Sequence, residues 1–451
     1  MKSSLPKVLH KILGKPLLER VMDSVFKTGC VDEAIVITGH MSEEVEKFVK
    51  TTYEGKFPVT TIIQQPQLGT GHAVFMAHDR LKGFNGTVLV LCGDTPLLSE
   101  EGLSEFVKKH HESGAALTVM SALFDDPTNY GRIVRDENWH VRKIVEEKDA
   151  TPEEKEIKEI NAGVYCFEWE KIAPAFFEIK NNNAQGEYYL TDVVDWSVKK
   201  GYKTAVSTIF NNYEIFGINS RQHLAEATKI LSSKTIEKLM DAGVTFVSPE
   251  TTLVSPETQI GADSVVYPGC VFEGVNTFGA NCTIGPNTYI GGNVTTADNV
   301  KILQSRVSNS QIGANSTVGP FAHLRDGVEI AENVRIGNFV EVKKSRIAGS
   351  TNVSHLSYIG DATLGSHVNI GAGTITANYD PLTKVKSRTM LADGVKIGSN
   401  SVLIAPVTVE KDANVAAGSV ITKDVPAGSL AIAREKQKVL DGWVEKKLKK
   451  D

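Results

Sequence analysis

The sequence predicts an α/β domain with a parallel sheet, followed by a parallel β-helix built from hexapeptide repeats. Two observations carry this reading. In residues 1–219 short β-branched runs alternate with amphipathic stretches, as in βαβ units. From about Val254 onward an aliphatic or aromatic residue instead recurs every six positions.

The first half supplies three strands, Glu33–Thr38, Val59–Gln64 and Thr87–Cys92. Helical patterns follow the first, at Ser42–Lys50, and the third, at Glu100–Glu112. Sheets of this kind bind ligands beyond the carboxyl ends of their strands, so the loops there are where chemistry is expected. Between the halves, Arg221–Ala242 reads as one amphipathic helix ending at Gly243.

The six-residue register runs through Val254, Ile260, Val266, Phe272, Phe278, Ile284 and Ile290. It resumes at Ile312 and continues to Val342, appears again at Ile347, Val353 and Ile359, and slips by one to Leu364 and Ile370. It returns at Ile397, Leu403, Val409, Val415 and Ile421. Each unit makes one flat strand and one corner, and the aliphatic residue points into a prism. A single coil cannot bury its apolar row, whereas stacked coils can. The expected division is 1–219, a helical linker 220–247, a β-helix 248–433 and a solvated tail 434–451.

Composition narrows the function classes. Of 451 residues, 41% are hydrophobic and 23% charged, as in an ordinary globular chain. A net charge of −5 argues against nucleic acid as a partner. No apolar run reaches the ~18 residues of a membrane helix. The five cysteines, Cys30, Cys92, Cys166, Cys270 and Cys282, form no CxxC pair and read as reduced thiols, which fits a cytoplasmic protein.

Motifs in both halves carry a resemblance: SLPKVLH (4–10), QLGTGHA (67–73), LCGDTPL (91–97), YGRIV (130–134), IVEEKDA (144–150), EINAGVY (159–165), NNNAQGEYYLTD (181–192), GPFAHLR (319–325), NFVEVKK (338–344), HLSYIGDATLG (355–365), NIGAGTITANYD (369–380) and LIAPVTV (403–409). In this order, over essentially the whole chain, the sequence resembles the bifunctional bacterial-type N-acetylglucosamine-1-phosphate uridyltransferase / glucosamine-1-phosphate acetyltransferase family. The resemblance implies a Rossmann-like nucleotidyltransferase domain and a β-helix that is left-handed and trimeric. It also implies synthesis of UDP-N-acetylglucosamine in two steps. Acetyl passes from acetyl-CoA to glucosamine 1-phosphate, then uridylyl passes from UTP to N-acetylglucosamine 1-phosphate.

Roles follow by motif. In the first half Asp94 and Asn219 match the Mg²⁺ ligands, an oxygen pair suited to that cation. Lys7 matches the phosphate-binding lysine. Gln64, Gly69 and Thr70 match the uracil contacts, and Gly131, Glu146, Asn161 and Thr191 the sugar-phosphate contacts. In the second half His355 matches the general base, a task that suits histidine's titration range. Arg325, Lys343, Tyr358, Asn369 and Lys386 match the sugar-phosphate pocket, and Asn378 and Tyr379 lie near the reacting amine. Ala372, Ser399, Ala417 and Arg434 fall where the family holds CoA. The segment PLTKVKSRT (381–389) is about two residues longer than the family's loop, so Lys384 competes with Lys386 for its place.

One departure stands out. The family opens with a buried strand and a Gly-rich phosphate loop, L-A-A-G-x-G-T-R-M, ahead of K-S-S-L-P-K. Met1 stands at that motif's final Met. The sequence therefore predicts open edges beside a mid-sheet strand and little uridylyl transfer by the chain as given. An acetyltransferase with an inactive front domain is the alternative. A zinc enzyme of the hexapeptide carbonic-anhydrase type would need His323, His355 and His367 together. A non-catalytic interaction module is the remaining reading.

Overall fold

The computed structural model describes residues 1–448. It divides into two compact units, Met1–Ile230 and Leu231–Asp451, the latter described to residue 448.

The first unit has the parallel pair β1 (Ala34–Thr38) and β2 (Val59–Ile63), and a separate six-stranded sheet. That sheet contains β3 (Thr87–Val90), β4 (Leu117–Leu123), β5 (Arg132–Arg135), β6 (Val141–Val145), β7 (Glu159–Glu168) and β8 (Thr204–Thr208). Of the three strands that the alternating pattern predicts, β1 and β2 pair in parallel, but β3 pairs only antiparallel, with β7; β4 and β8 are a further parallel pair. The ten-residue β7 runs antiparallel to β3, β4 and β5 and makes the sheet mixed. Strand direction depends on a partner distant in sequence, which local pattern does not encode. β1 and β3 each lack a partner on one side among the described residues, and their side chains are mostly half-buried.

Helices pack on the sheet through apolar faces. α1 (Leu17–Lys27) buries Leu17, Leu18, Val21, Met22 and Val25. α2 spans Ser42–Tyr53 and α3 spans Thr70–Phe75. α4 (Glu100–Ser113) buries Leu103 and Phe106. The Ser99 side chain caps α4 by accepting the Gly102 N–H, and Gly114 ends it in the left-handed region.

The second unit is a left-handed parallel β-helix. One face is an eleven-stranded parallel sheet, and the other two faces form a seventeen-stranded one. Every aliphatic or aromatic position named in the six-residue register is buried. The register also continues where the sequence pattern lapses, through buried Val294, Ile302 and Val307. There a coil takes seventeen residues between Ile290 and Val307, and sixteen between Ile302 and Val318, because corners lose residues. Asp263, Asn281, Asn299, Asn315 and Asn333 stack at one corner with positive φ, a conformation Asn and Asp tolerate best among residues with a side chain. The linker helix Arg221–Asp241 ends where expected, before Gly243. In the tail, Trp443–Leu448 is helical; residues 449–451 lie outside the described residues. No helix of the described residues is long and apolar enough to cross a membrane, and all five cysteines are free thiols.

Candidate active sites

In the first unit Gln64 directly follows β2, and Asp94 follows β3, both at the carboxyl ends of strands. Lys7 joins the candidate metal ligands: its Nζ donates to Asp94 Oδ2 at 2.5 Å and to Asn219 Oδ1 at 2.9 Å. Two oxygens thus converge on one cation-sized position held by an ammonium, so the donor set fits a hard divalent ion.

The other predicted residues form one connected path. Gln64 Nε2 donates to the Gly69 carbonyl at 2.9 Å. Gly69 has φ +111°, and an added Cβ would stand 2.7 Å from the Tyr188 carbonyl oxygen. Only glycine lets this loop lie so close to its neighbour. Thr70 Oγ1 accepts the Leu190 N–H at 3.1 Å, and Thr191 Oγ1 donates to Glu146 Oε1 at 3.0 Å. Gly131 lies against Glu146 and Asn161, and its carbonyl accepts the Asn161 N–H at 2.9 Å. Burial raises the Glu146 carboxyl above the usual range, and the Asp149 charge adds to this while the Thr191 bond opposes it. The seven predicted contacts other than Lys7 thus form one chain of neighbouring groups, and Lys7 forms a second cluster with the two metal-ligand candidates.

In the second unit His355 ends a strand on the eleven-stranded face. Its Nδ1 is 2.9 Å from Asn338 Oδ1, one coil earlier. With Nδ1–H donating to that oxygen, Nε2 carries the free lone pair. Asn338 was not among the expected residues, although its spacing of one seventeen-residue coil from His355 could have revealed it.

The same corner continues along the helix. The Gly373 N–H donates to the His355 carbonyl at 3.4 Å, Asn400 N–H to Ala372 at 2.7 Å, and Gly418 N–H to Ser399 at 2.8 Å. Arg434 Nη1 donates to the Ala417 carbonyl. His355, Ala372, Ser399, Ala417 and Arg434 thus form one row of mostly small residues. At about 4.8 Å per coil its four steps span roughly 19 Å.

Across the adjacent face Arg325 and Lys343 sit at successive coils, with Arg325 Nη1 2.8 Å from Glu341 Oε1. The Arg325 and Lys386 charges hold Lys343 below the usual lysine range, so three cations share one corner. Lys386 is bridged antiparallel to Tyr379 through its backbone, and its charge acts on Lys343. The Tyr358 ring lies over Gly360, and its hydroxyl meets Asn378, whose Nδ2 donates to Asp361. Burial raises the Tyr358 phenol above its usual range. Glu341 and Asp361 escaped the sequence reading because only cross-coil pairing brings them in.

Two placements differ from a single assembled pocket. Asn369 is exposed on the His355 face, paired in register with Asn352 and Lys396, and is not brought to the Arg325 corner within one chain. Tyr379 is 51% exposed. His323, His355 and His367 share no metal-type cluster among the described residues.

Comparison with known proteins agrees with both halves. Residues 2–213 match the Nucleotidyl transferase family, 309–344 the Bacterial transferase hexapeptide (six repeats) family, and 393–423 the Hexapeptide repeat of succinyl-transferase family. The chain is 43% identical over 447 residues to the bifunctional protein GlmU of Alkaliphilus metalliredigens (strain QYMF), covering 99% of this chain and 96% of that one. It is 47% identical over 446 residues to GlmU of Exiguobacterium sp. (strain ATCC BAA-1283 / AT1b), covering 99% and 97%. It is 46% identical over 447 residues to GlmU of Halalkalibacterium halodurans, covering 99% and 96%. With a nucleotidyltransferase half, a hexapeptide half and identity of this order along nearly all of both partners, the chain belongs to the family of bifunctional GlmU proteins.

Proposed function

We infer that the chain makes UDP-N-acetylglucosamine in two steps, one in each unit. The row of small residues that runs from His355 to Arg434 is the observation that carries the first step, and the cations Arg325, Lys343 and Lys386 on the adjacent face support it.

In acetyl transfer the three cations hold the phosphate of glucosamine 1-phosphate. The row of small residues receives the extended arm of acetyl-CoA. The neutral amine attacks the thioester carbonyl carbon while His355 Nε2 takes its proton. The C–N bond forms, the C–S bond breaks, and the sulfur leaves protonated as free CoA. Asn338 fixes the ring tautomer that makes Nε2 the acceptor. Asn378 and Tyr379 stand near the amine, and Asn369, on another face of the same chain, serves a sugar-phosphate pocket across a subunit contact.

In uridylyl transfer the sugar phosphate oxygen attacks the α-phosphorus of UTP, and the bond to pyrophosphate breaks. Lys7 supplies positive charge to the phosphates. Gln64, Gly69 and Thr70 hold uracil, and Gly131, Glu146, Asn161 and Thr191 hold the sugar phosphate. Asp94 and Asn219 would hold Mg²⁺, which when bound offsets charge on the reacting phosphates.

The active form is a homotrimer in the cytoplasm. Phe321, Phe339 and Leu356, exposed by 53%, 58% and 63%, form an apolar ladder beside His355, which supports a subunit contact there.

Two assays on one purified chain test this reading. Thiol release from acetyl-CoA with glucosamine 1-phosphate should fall about 10²- to 10⁴-fold in His355→Ala. Pyrophosphate release from UTP with N-acetylglucosamine 1-phosphate should be substantial in the parent, against the low transfer expected from the sequence alone, and should vanish in Asp94→Asn. Thiol release without pyrophosphate selects the acetyltransferase-only alternative. Absence of thiol release overturns the assignment of the β-helix.

A further inference from the structure

Asp94 and Asn219 reach one cation position from two loops distant in sequence, so something must fix the distance between those loops. They share one backbone bond, from the Ile218 N–H to the Asp94 carbonyl at 2.9 Å. Next to it lies a carboxylate that no motif singled out. Glu214, 3% exposed, sits in the helical turn Asn212–Ile215, five residues before Asn219. Its Oε2 accepts both the Ser99 N–H at 3.0 Å and the Ser99 hydroxyl at 2.6 Å. Its Oε1 accepts from Asn211 Nδ2 at 3.2 Å.

Ser99 closes the Asp94 loop and caps α4, its Oγ accepting the Gly102 N–H at 3.0 Å. Gly102 is fitted to the carboxylate: a Cβ there would stand 2.7 Å from Glu214 Oε2. No Lys or Arg pairs with Glu214 among the described residues. Its charge is met by three hydrogen bonds and by the positive end of α4. Burying a carboxylate without a counter-ion is costly, and an apolar side chain would fill the volume without that cost. What an apolar side chain cannot do is tie the cap of α4 to the Asn219 turn in one geometry.

We propose that Glu214 is a positioning residue for the metal site, holding the Asp94 and Asn219 loops at the separation a divalent cation requires. This rests on the reading of those two residues as metal ligands. Partners that orient ligands in this way typically change metal affinity about 10- to 100-fold when removed.

The test titrates the full chain with Mn²⁺, followed by electron paramagnetic resonance, beside calorimetric binding of UMP without metal. Glu214→Gln should weaken Mn²⁺ binding about 10- to 100-fold while UMP affinity stays within about twofold of the parent. Acetyl transfer by the same preparation should be unchanged. Ser99→Ala, which removes the hydroxyl donor from the other side of the pair, should weaken Mn²⁺ binding in the same direction. It decides the question if Glu214→Gln does not fold. Mn²⁺ affinity equal to the parent's in a folded variant overturns the proposal, as does parallel loss of Mn²⁺ and UMP binding, which marks a merely structural role. Parent binding that survives Asp94→Asn overturns the ligand assignment itself, a result distinct from the others.

Discussion

Removing Asn338 should slow acetyl transfer without abolishing it, and the size of the effect can be worked from one contact. The bond is neutral to neutral, 2.9 Å long, between an exposed imidazole and a half-exposed amide. In Asn338→Ala water replaces the lost partner, so no buried group is stranded. The net loss is then about 0.5–1.5 kcal/mol. If all of it falls on the transition state, the rate drops about 2- to 13-fold. Removing the base altogether should cost about 10²- to 10⁴-fold. The order is therefore parent, then Asn338→Ala, then His355→Ala far below. Thiol release at saturating acetyl-CoA and glucosamine 1-phosphate measures all three. The double variant should match His355→Ala alone, because Asn338 acts only through the ring. A double variant slower than His355→Ala by the full Asn338 factor would refute this, since it would show that Asn338 works independently of the imidazole.

Three other perturbations follow from named contacts. In Gly360→Ala the new Cβ collides with the Tyr358 ring and moves its hydroxyl from Asn378. KM for glucosamine 1-phosphate should rise about 2- to 13-fold, the value of one hydrogen bond, and an unchanged KM removes Tyr358 from the pocket. Gly69→Ala places a side chain at φ +111° against the Tyr188 carbonyl. At about 1–3 kcal/mol of strain, UMP affinity measured by calorimetry should fall roughly 5- to 150-fold, and full affinity would deny that this loop holds uracil. The Asp192 carboxyl is pushed up to about 6, by burial first and then by Asp195, Glu146 and Asp149. The folded value lies above the unfolded one, near ~3.9, so the native state keeps a proton that the unfolded chain has released. Stability of the first unit should therefore fall as pH rises from about 4 to about 6 and stay low above that. Asp192→Asn should gain about 1 kcal/mol over the parent at pH 7 relative to pH 4, a figure reduced for a half-exposed group. Urea unfolding at the two pH values reads this directly, and an equal difference at both denies the shift.

What the sequence could disclose depended on how far apart the interacting residues are. The β-helix core was legible because each buried position repeats a local rule, so Val266 and Ile336 announce themselves with the same six-residue unit. The rule lapsed between Ile290 and Ile312, where shortened corners change the coil length but not the inward direction of Ile302 and Val307. Strand existence in the first unit was legible from β-branched runs, whereas the antiparallel course of Glu159–Glu168 was not, since it is set by its neighbours. Motifs located the site residues in sequence but not in space. Asn369 belongs to a matched motif and yet lies on a different face from Arg325.

The two units solve the problem of assembling charge in opposite ways, and that difference explains which supporting residues stayed hidden. In the β-helix, partners are one coil apart, so Asn338 supports His355 and Lys343 follows Arg325 at nearly constant spacing. A helper residue beside His355 or Arg325 can be found by counting seventeen or eighteen positions back or forward, a rule that fails only where a coil is shortened to sixteen or carries the insertion that stretches it to 27. In the α/β unit the reactive groups hang on loops at strand ends, and nothing periodic relates one loop to another. Their separation has to be set by specific cross-loop contacts such as Ser99 to Glu214, which carry no signature in the chain. It follows that substitutions at unmarked buried polar positions should disturb uridylyl transfer more than acetyl transfer. In the β-helix the scaffold itself supplies the register, whereas in the loops single side chains do.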